Sequence, residues 1–134
     1  MMLTTALTCL ALNIYHEARG ETQLGKEVVA VTTLNRANGN DSQVCAEVLR
    51  KHQFTWTTTK VSGKQLKEAG KPKEAEAWEE AQQIAKKALS GRVIVPPKYR
   101  NVTHFCATRK PAWDKSAKMS YVGKVGNHHF YRQK

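Results

Sequence analysis

Acidic side chains are scarce in this chain. Of its 134 residues only 11 are Asp or Glu, against 22 Lys and Arg, which leaves a net charge of +11. A field of that sign concentrates polyanions and speeds their capture at low salt. It does not choose among nucleic acid, anionic lipid and other anionic polymers, and it also serves plain solubility. Cysteine is scarce too. Cys9, Cys45 and Cys106 are odd in number and form no C-x-x-C pair. That argues against a disulfide framework and fits folding in a reducing compartment, with Cys9 and Cys45 as small core residues. No apolar run is long enough to span a bilayer. The apolar stretch 1–12 has no basic residues before it, so it reads as the start of a helix rather than a signal peptide. No H-E-x-x-H, helix-turn-helix, zinc-finger or RNA-recognition signature is present.

What is present is an ordinary globular composition, with 40% hydrophobic and 25% charged residues. The length favours one domain, large enough to fold without a disulfide or a metal. Leu3, Leu7, Leu10 and Ile14 recur at helical spacing, and three residues further the stripe reaches Glu17. Gly20 then ends the helix. Leu24, Val28, Val31 and Leu34 mark a second helix, buried on most sides because Val29 and Ala30 fill in beside the stripe. It stops near Asn38-Gly39-Asn40. Asp41 or Ser42 caps a third helix with Val44, Cys45, Val48 and Leu49 on its apolar face.

Residues 53–59 are β-branched and aromatic and read as extended, and 60–73 read as a polar surface loop. A helix over 74–89 shows Trp78, Ala81, Ile84, Ala85 and Ala88 on one face, with Ser90-Gly91 as its stop. Residues 102–106, 118–122 and 128–132 read as strands, the last two joined by a hairpin turn within 123–127. The expected fold is therefore α+β, mainly helical, with a small antiparallel sheet near the C-terminus.

The residues with chemical potential are few. Glu17 sits at the end of an apolar helix before a glycine break. A carboxyl partly withdrawn from water has a raised pKa and can act as a general acid. The competing interpretation is a helix-terminal ion pair with Arg19 or a lysine. Glycosidases usually pair two carboxylates, but Glu21, Glu27, Asp41 and Glu47 have no evident claim to be the second. Their scarcity fits a reaction in which the substrate supplies its own nucleophile. Phe54, Trp56, Trp113 and Tyr131 lie outside the strongest helical stripes and could stack on sugar rings, although core packing competes for each. Phe54 and Trp56 share one face of a strand. His16, His104, His128, His129 and Cys106 lack metal-ligand spacing, so no metal or other cofactor is expected. A Cys106–His nucleophile pair ranks lower still.

Several blocks resemble the cell-wall hydrolases typified by spore cortex-lytic enzymes. They are Ile14-Tyr15-His16-Glu17-Ala18-Arg19-Gly20-Glu21, then Leu34-Asn35-Arg36, then Val44-Cys45 and Gln53-Phe54-Thr55-Trp56. The C-terminal blocks are Thr103-His104-Phe105, Pro111-Ala112-Trp113 and Gly126-Asn127-His128-His129-Phe130-Tyr131. They fall in the family's order and cover nearly all of the chain. Cys106 departs from the pattern, where relatives often carry a histidine.

The resemblance implies a lysozyme-like single domain over 1–134 that cleaves the peptidoglycan glycan strand. Glu17 would be the catalytic acid, and Gln53, Phe54, Thr55, Trp56, His104 and Tyr131 would contact substrate. The implied reaction is lytic transglycosylation, without a cofactor. The implied partners are the glycan strand and, through the basic surface, anionic cell-envelope polymers. A monomer without stable membrane insertion is expected. The bare, basic catalytic domain resembles a phage lysis enzyme, made in the host cytoplasm and acting on the wall. A hydrolytic muramidase, a peptidoglycan amidase and a basic nucleic-acid-binding protein are the alternatives.

Overall fold

The computed structural model describes residues 5–50 and 74–134. In chain order they form α1 (Ala6–Ala18), α2 (Gln23–Arg36), a 3-10 turn (Asp41–Gln43), α3 (Val44–Leu49) and α4 (Ala75–Leu89). Beyond α4 come a second 3-10 turn (Pro97–Tyr99), β1 (His104–Cys106), the short α5 (Pro111–Asp114), β2 (Met119–Val125) and β3 (His128–Gln133). The architecture is α+β and mainly helical, with the small antiparallel sheet near the C-terminus. The extended segment and loop expected over 53–73, with Gln53, Phe54, Thr55 and Trp56, lie outside the described residues.

Thr5 caps α1, its hydroxyl accepting the Thr8 N–H, and Thr22 caps α2 by accepting from Gly25. From Cys9 to Tyr15 every residue of α1 is buried, so this helix is enclosed on all sides rather than along one stripe. Leu7, expected on the stripe, is 36% exposed because it precedes the enclosed segment. In α2 the buried line runs through Val28, Val29, Thr32 and Thr33. The helix is buried on most sides, as expected: Ala30 is buried too, Leu24, Val31 and Leu34 pack partly buried against the two cores, and the Thr33 hydroxyl donates to buried Asn13 on α1 at 2.5 Å. Asn38 and Gly39, at φ 56° and 70°, turn the chain out of α2. Asn40, rather than Asp41 or Ser42, caps the 3-10 turn that leads into α3, its side-chain oxygen accepting the Ser42 N–H.

The cysteine expectation is overturned. Cys9 on α1 and Cys45 on α3 form a disulfide, with Cα atoms 5.2 Å apart and a sequence separation of 36. Both positions are apolar-patterned, as predicted, but α3 packs across α1 and brings the two thiols face to face. An odd cysteine count says nothing about such a meeting. The bond staples the start of α1 to the helix that closes the core, and Cys106 stays reduced.

Two cores result. The first gathers Cys9, Leu10, Ile14, Tyr15, Ala30, Val44, Val48, Ile84 and Ala85 from α1 to α4, with Trp78 packed on it. The second gathers Ala18, Val28, Val29, Val95, Tyr99, Val102, Val125 and Phe130 between α2 and the sheet. Helix α1 runs from the first into the second, and Glu17 lies at the passage.

The sheet has strand order β1-β3-β2, all antiparallel. The hairpin turn is tighter than expected. Gly126, at φ 58°, makes it, while Gly123 belongs to β2 beside a register shift. A Cβ at Gly123 would stand 2.6 Å from the Tyr99 hydroxyl, so this strand position accepts no larger residue without displacing that ring.

Candidate functional site

Each residue of the Glu17-Ala18-Arg19-Gly20-Glu21 run that bears a side chain has a separate physical setting at the end of α1. Glu17 is half-buried on the last turn. Its main-chain carbonyl, one of the four that a helix end leaves without an internal partner, accepts a hydrogen bond from His128 Nε2 at 2.8 Å. Ala18 is buried in the second core. Arg19 turns to the other core: its Nη1 donates to the Tyr15 hydroxyl at 2.7 Å and its Nε pairs with Glu74 at 3.6 Å. Tyr15 in turn accepts the Glu74 N–H, which fixes the start of α4. Glu21 binds the hairpin turn, its carboxylate accepting the Asn127 N–H at 2.9 Å and the Asn127 side-chain N–H at 3.1 Å. Burial alone would raise the Glu21 pKa, but the two Asn127 bonds and the nearby His128 and Lys26 outweigh it and hold the carboxyl below its ordinary range.

The Leu34-Asn35-Arg36 block places β1. Asn35 Nδ2 donates to the carbonyls of Arg100 and Val102, both at 2.8 Å, and Arg36 Nη1 donates to that of Thr103 at 3.1 Å. Arg36 also stands 2.7 Å from His104 Nε2. A guanidinium can only donate, so Nε2 is the acceptor and His104 carries its proton on Nδ1, directed at the Thr103 hydroxyl at 2.8 Å. Burial, then the Arg36 charge, pushes the His104 pKa down to about 4. His104 is thus a neutral imidazole with both ring nitrogens engaged.

His104 and Tyr131 are cross-strand partners, and Trp113 packs edge-on against both rings with centroids 5.1 Å away. Tyr131 departs from the expected sugar-contacting position. It is fully buried, and its hydroxyl donates to Asp114 at 2.9 Å while accepting from the Lys110 N–H at 3.1 Å. It therefore anchors the segment that carries Trp113. Strand alternation puts His104 and Tyr131 on one face of the sheet and Phe105 and His128 on the other. The Glu17 carbonyl is bound on the His128 side. The structure therefore joins His104 to Tyr131 but sets Glu17 against the opposite face.

The other expected ligand-type residues are also committed. His129 Nδ1 is 2.8 Å from the Tyr121 hydroxyl, and the Cys106 thiol donates to the Thr108 carbonyl at 2.7 Å. Burial pushes that thiol above its ordinary pKa. Among the described residues no three His, Cys, Asp or Glu side chains come together as a metal site would require. No helix among them is long and apolar enough to cross a membrane.

Glu17 thus ends α1 with its main-chain carbonyl held by the hairpin histidine, while Arg19 and Glu21 bind elsewhere. The chain belongs to the cell wall hydrolase family, whose model matches residues 20–131. It is accordingly an enzyme that acts on peptidoglycan. The matched range begins at Gly20, so Glu17 stands just ahead of it. No curated protein and no solved structure matches the chain.

Glu21, Asn127 and His128 stand in the motif blocks, yet nothing in the sequence gives them a task. Their spacing held no signal, since more than a hundred residues separate Glu21 and Glu17 from the hairpin.

Proposed function

We propose that this enzyme cleaves the peptidoglycan glycan strand between N-acetylmuramic acid and N-acetylglucosamine by lytic transglycosylation, with Glu17 as the catalytic acid. Glu17 protonates the glycosidic oxygen as the C1–O bond breaks. The resulting carboxylate then takes the proton of the muramoyl 6-hydroxyl as that oxygen bonds to C1. The glycosidic bond is exchanged for a 1,6-anhydro bond and no water is consumed.

The observation that carries this reading is that several carboxylates among the described residues are committed to other partners. Glu21 is held by Asn127, Glu74 by Arg19, Glu80 by Lys26, Glu47 by Arg36 and Arg50, and Asp114 by Arg109. A two-carboxylate mechanism needs a second such group facing the first across the scissile bond. A single acid that doubles as base asks for one carboxyl, and Glu17 has the half-buried helix-end setting that such a group needs.

The net charge of +11 supports capture of anionic envelope polymers around the glycan. The Cys9–Cys45 disulfide favours a mature form that works outside a reducing cytoplasm, where the wall is.

The test is mass spectrometry of purified peptidoglycan digested by the wild type and by Glu17→Gln. Expected are products lighter than reducing muropeptides by the mass of a water molecule, absent with a folded Glu17→Gln protein whose activity falls by about 10²–10⁴. Reducing muramic acid ends would mean a hydrolytic muramidase, and freed stem peptides an amidase. Near-normal digestion by folded Glu17→Gln would remove Glu17 from the chemistry. No product from folded wild type, with salt-sensitive DNA binding, would mean a binding protein.

A further inference from the structure

The β2–β3 turn reaches across the molecule to Glu17 and to Glu21, four residues on. Three consecutive residues there each meet a distinct requirement. Gly126 has φ 58°, and a Cβ on it would stand 2.0 Å from Glu21 Oε1, so a larger residue there would be strained and would push the Glu21 carboxylate aside. Asn127 gives its backbone N–H and its side-chain N–H to the two Glu21 oxygens. His128 gives Nε2–H to the Glu17 carbonyl at 2.8 Å. The partners are 106 and 111 residues apart in sequence, so these bonds fix tertiary position rather than local turn geometry.

We infer that Glu21, Asn127 and His128 are positioning residues for Glu17, a clamp that sets the helix end against the sheet so that the carboxyl meets the glycosidic oxygen. The inference rests on the reading of Glu17 as the catalytic acid.

The composition of the clamp fits positioning better than stabilisation. Glu21 lies on the surface side of the turn and Asn127 is exposed, where a hydrogen bond exchanges with water at little net gain. His128 is the reverse case. It is 9% exposed, wedged beside the Phe105 and Phe130 rings at 5.1 and 6.1 Å, and its Nδ1 has no hydrogen-bond partner among the described residues. An apolar ring would fill that site without burying an unsatisfied nitrogen. What the imidazole adds is a donor on the Glu17 carbonyl. Because the carbonyl can only accept, Nε2 must carry the proton, so tautomer and ring orientation are both determined.

The consequence is geometric. A general acid works only within hydrogen-bond reach of the atom that it protonates, and a shift of about 1 Å can cost on the order of 10²-fold in rate. The chain is anchored at the Glu17 carbonyl and again four residues on, both from one turn. Substrate contacts away from the reacting bond do not depend on those anchors, so their loss falls on kcat rather than KM.

Steady-state cleavage of soluble glycan strands tests this, with wild type, His128→Phe, His128→Gln, Asn127→Ala and Glu17→Gln. His128→Phe keeps the ring between Phe105 and Phe130 but loses the donor. It should lower kcat by about 10–100-fold with KM within about 2-fold. His128→Gln, whose amide N–H can reach the same carbonyl, should recover most of the loss. Asn127→Ala, on the exposed turn, is the variant that keeps the test open if His128→Phe fails to fold, and it should cost about 10-fold in kcat. Melting temperatures measured in parallel confirm that each variant is folded under assay conditions.

Wild-type kcat in folded His128→Phe or Asn127→Ala overturns the clamp and leaves the reading of Glu17 standing. A His128→Gln protein as impaired as His128→Phe overturns the hydrogen bond as the cause. An active Glu17→Gln protein overturns the reading of Glu17, and the positioning role falls with it.

Discussion

The two cores of this molecule are held by different kinds of force. The helical core is apolar and cross-linked: Leu10, Ile14, Val44, Val48 and Ile84 fill it and the Cys9–Cys45 bond staples it. The sheet-side core is smaller and aromatic, and directed polar contacts position it. Asn35 and Arg36 aim β1, Glu21 holds the turn, and Tyr131 ties down the segment before α5. The hydrophobic effect has no direction, so it makes the first core stable without placing any one atom. Hydrogen bonds have direction, so they make the second region accurate at little gain in stability. Glu17 lies where α1 passes from the stable region into the accurate one.

This contrast can be broken by experiment. The largest effect on stability should come from the helical core. Ile84→Ala is expected to cost about 2–5 kcal/mol by denaturant unfolding, because it empties a site that is 2% exposed, and to leave kcat near wild type below its melting point. A loss of kcat matching that of Asn127→Ala would erase the distinction between the two regions. Reduction of the disulfide should come next. Closing a 36-residue separation is worth roughly 4 kcal/mol of unfolded-chain entropy in the loop-closure picture, and about 2–4 kcal/mol in practice. A calorimetric scan with and without reductant measures it, and an unchanged melting temperature would show that helix packing alone holds α1 to α3.

The smallest effect belongs to the sheet side and is a matter of pH. The folded-state pKa of His104, about 4, lies below its ordinary value of 6.5. The unfolded chain therefore binds a proton that the folded chain refuses between those two values. The contribution of His104 to stability is fully present above pH 6.5 and is lost as pH falls towards 4. His104→Gln should flatten the stability–pH curve across that window. The Glu21 carboxyl, held low, acts in the same direction but only below the ordinary carboxylate range. A His104→Gln curve that parallels the wild type would mean that the imidazole is not held neutral by Arg36 and burial.

Much of the fold was legible beforehand because periodicity is local. The helix over 75–89 was readable from Trp78, Ala81, Ile84, Ala85 and Ala88, and its acidic start and basic end agree with the helix dipole. The three strands were readable from β-branched and aromatic runs. The place of Thr33 in the core was not legible, because it looks polar in sequence and becomes a core residue only when Asn13 accepts its hydroxyl. Asn40 was passed over as a cap because Asp41 and Ser42 beside it are equally good capping types. Tyr131 was read as a sugar platform because nothing local reveals that Trp113 and Asp114 cover it.

By itself the sequence determined the class of the molecule: a basic, mainly helical α+β chain with one glutamate at the end of an apolar helix and the ordered blocks of a cell-wall hydrolase. Those properties depend on composition, on spacing within one turn or one strand, and on block order, and all of these are readable along the chain. Only the tertiary structure decided that Cys9 meets Cys45, that Glu21 binds the hairpin turn, and that His128 holds the carbonyl of Glu17. Each of these joins residues tens to more than a hundred positions apart. Their meeting is set by how the two cores pack, a property of the whole chain that no local pattern encodes.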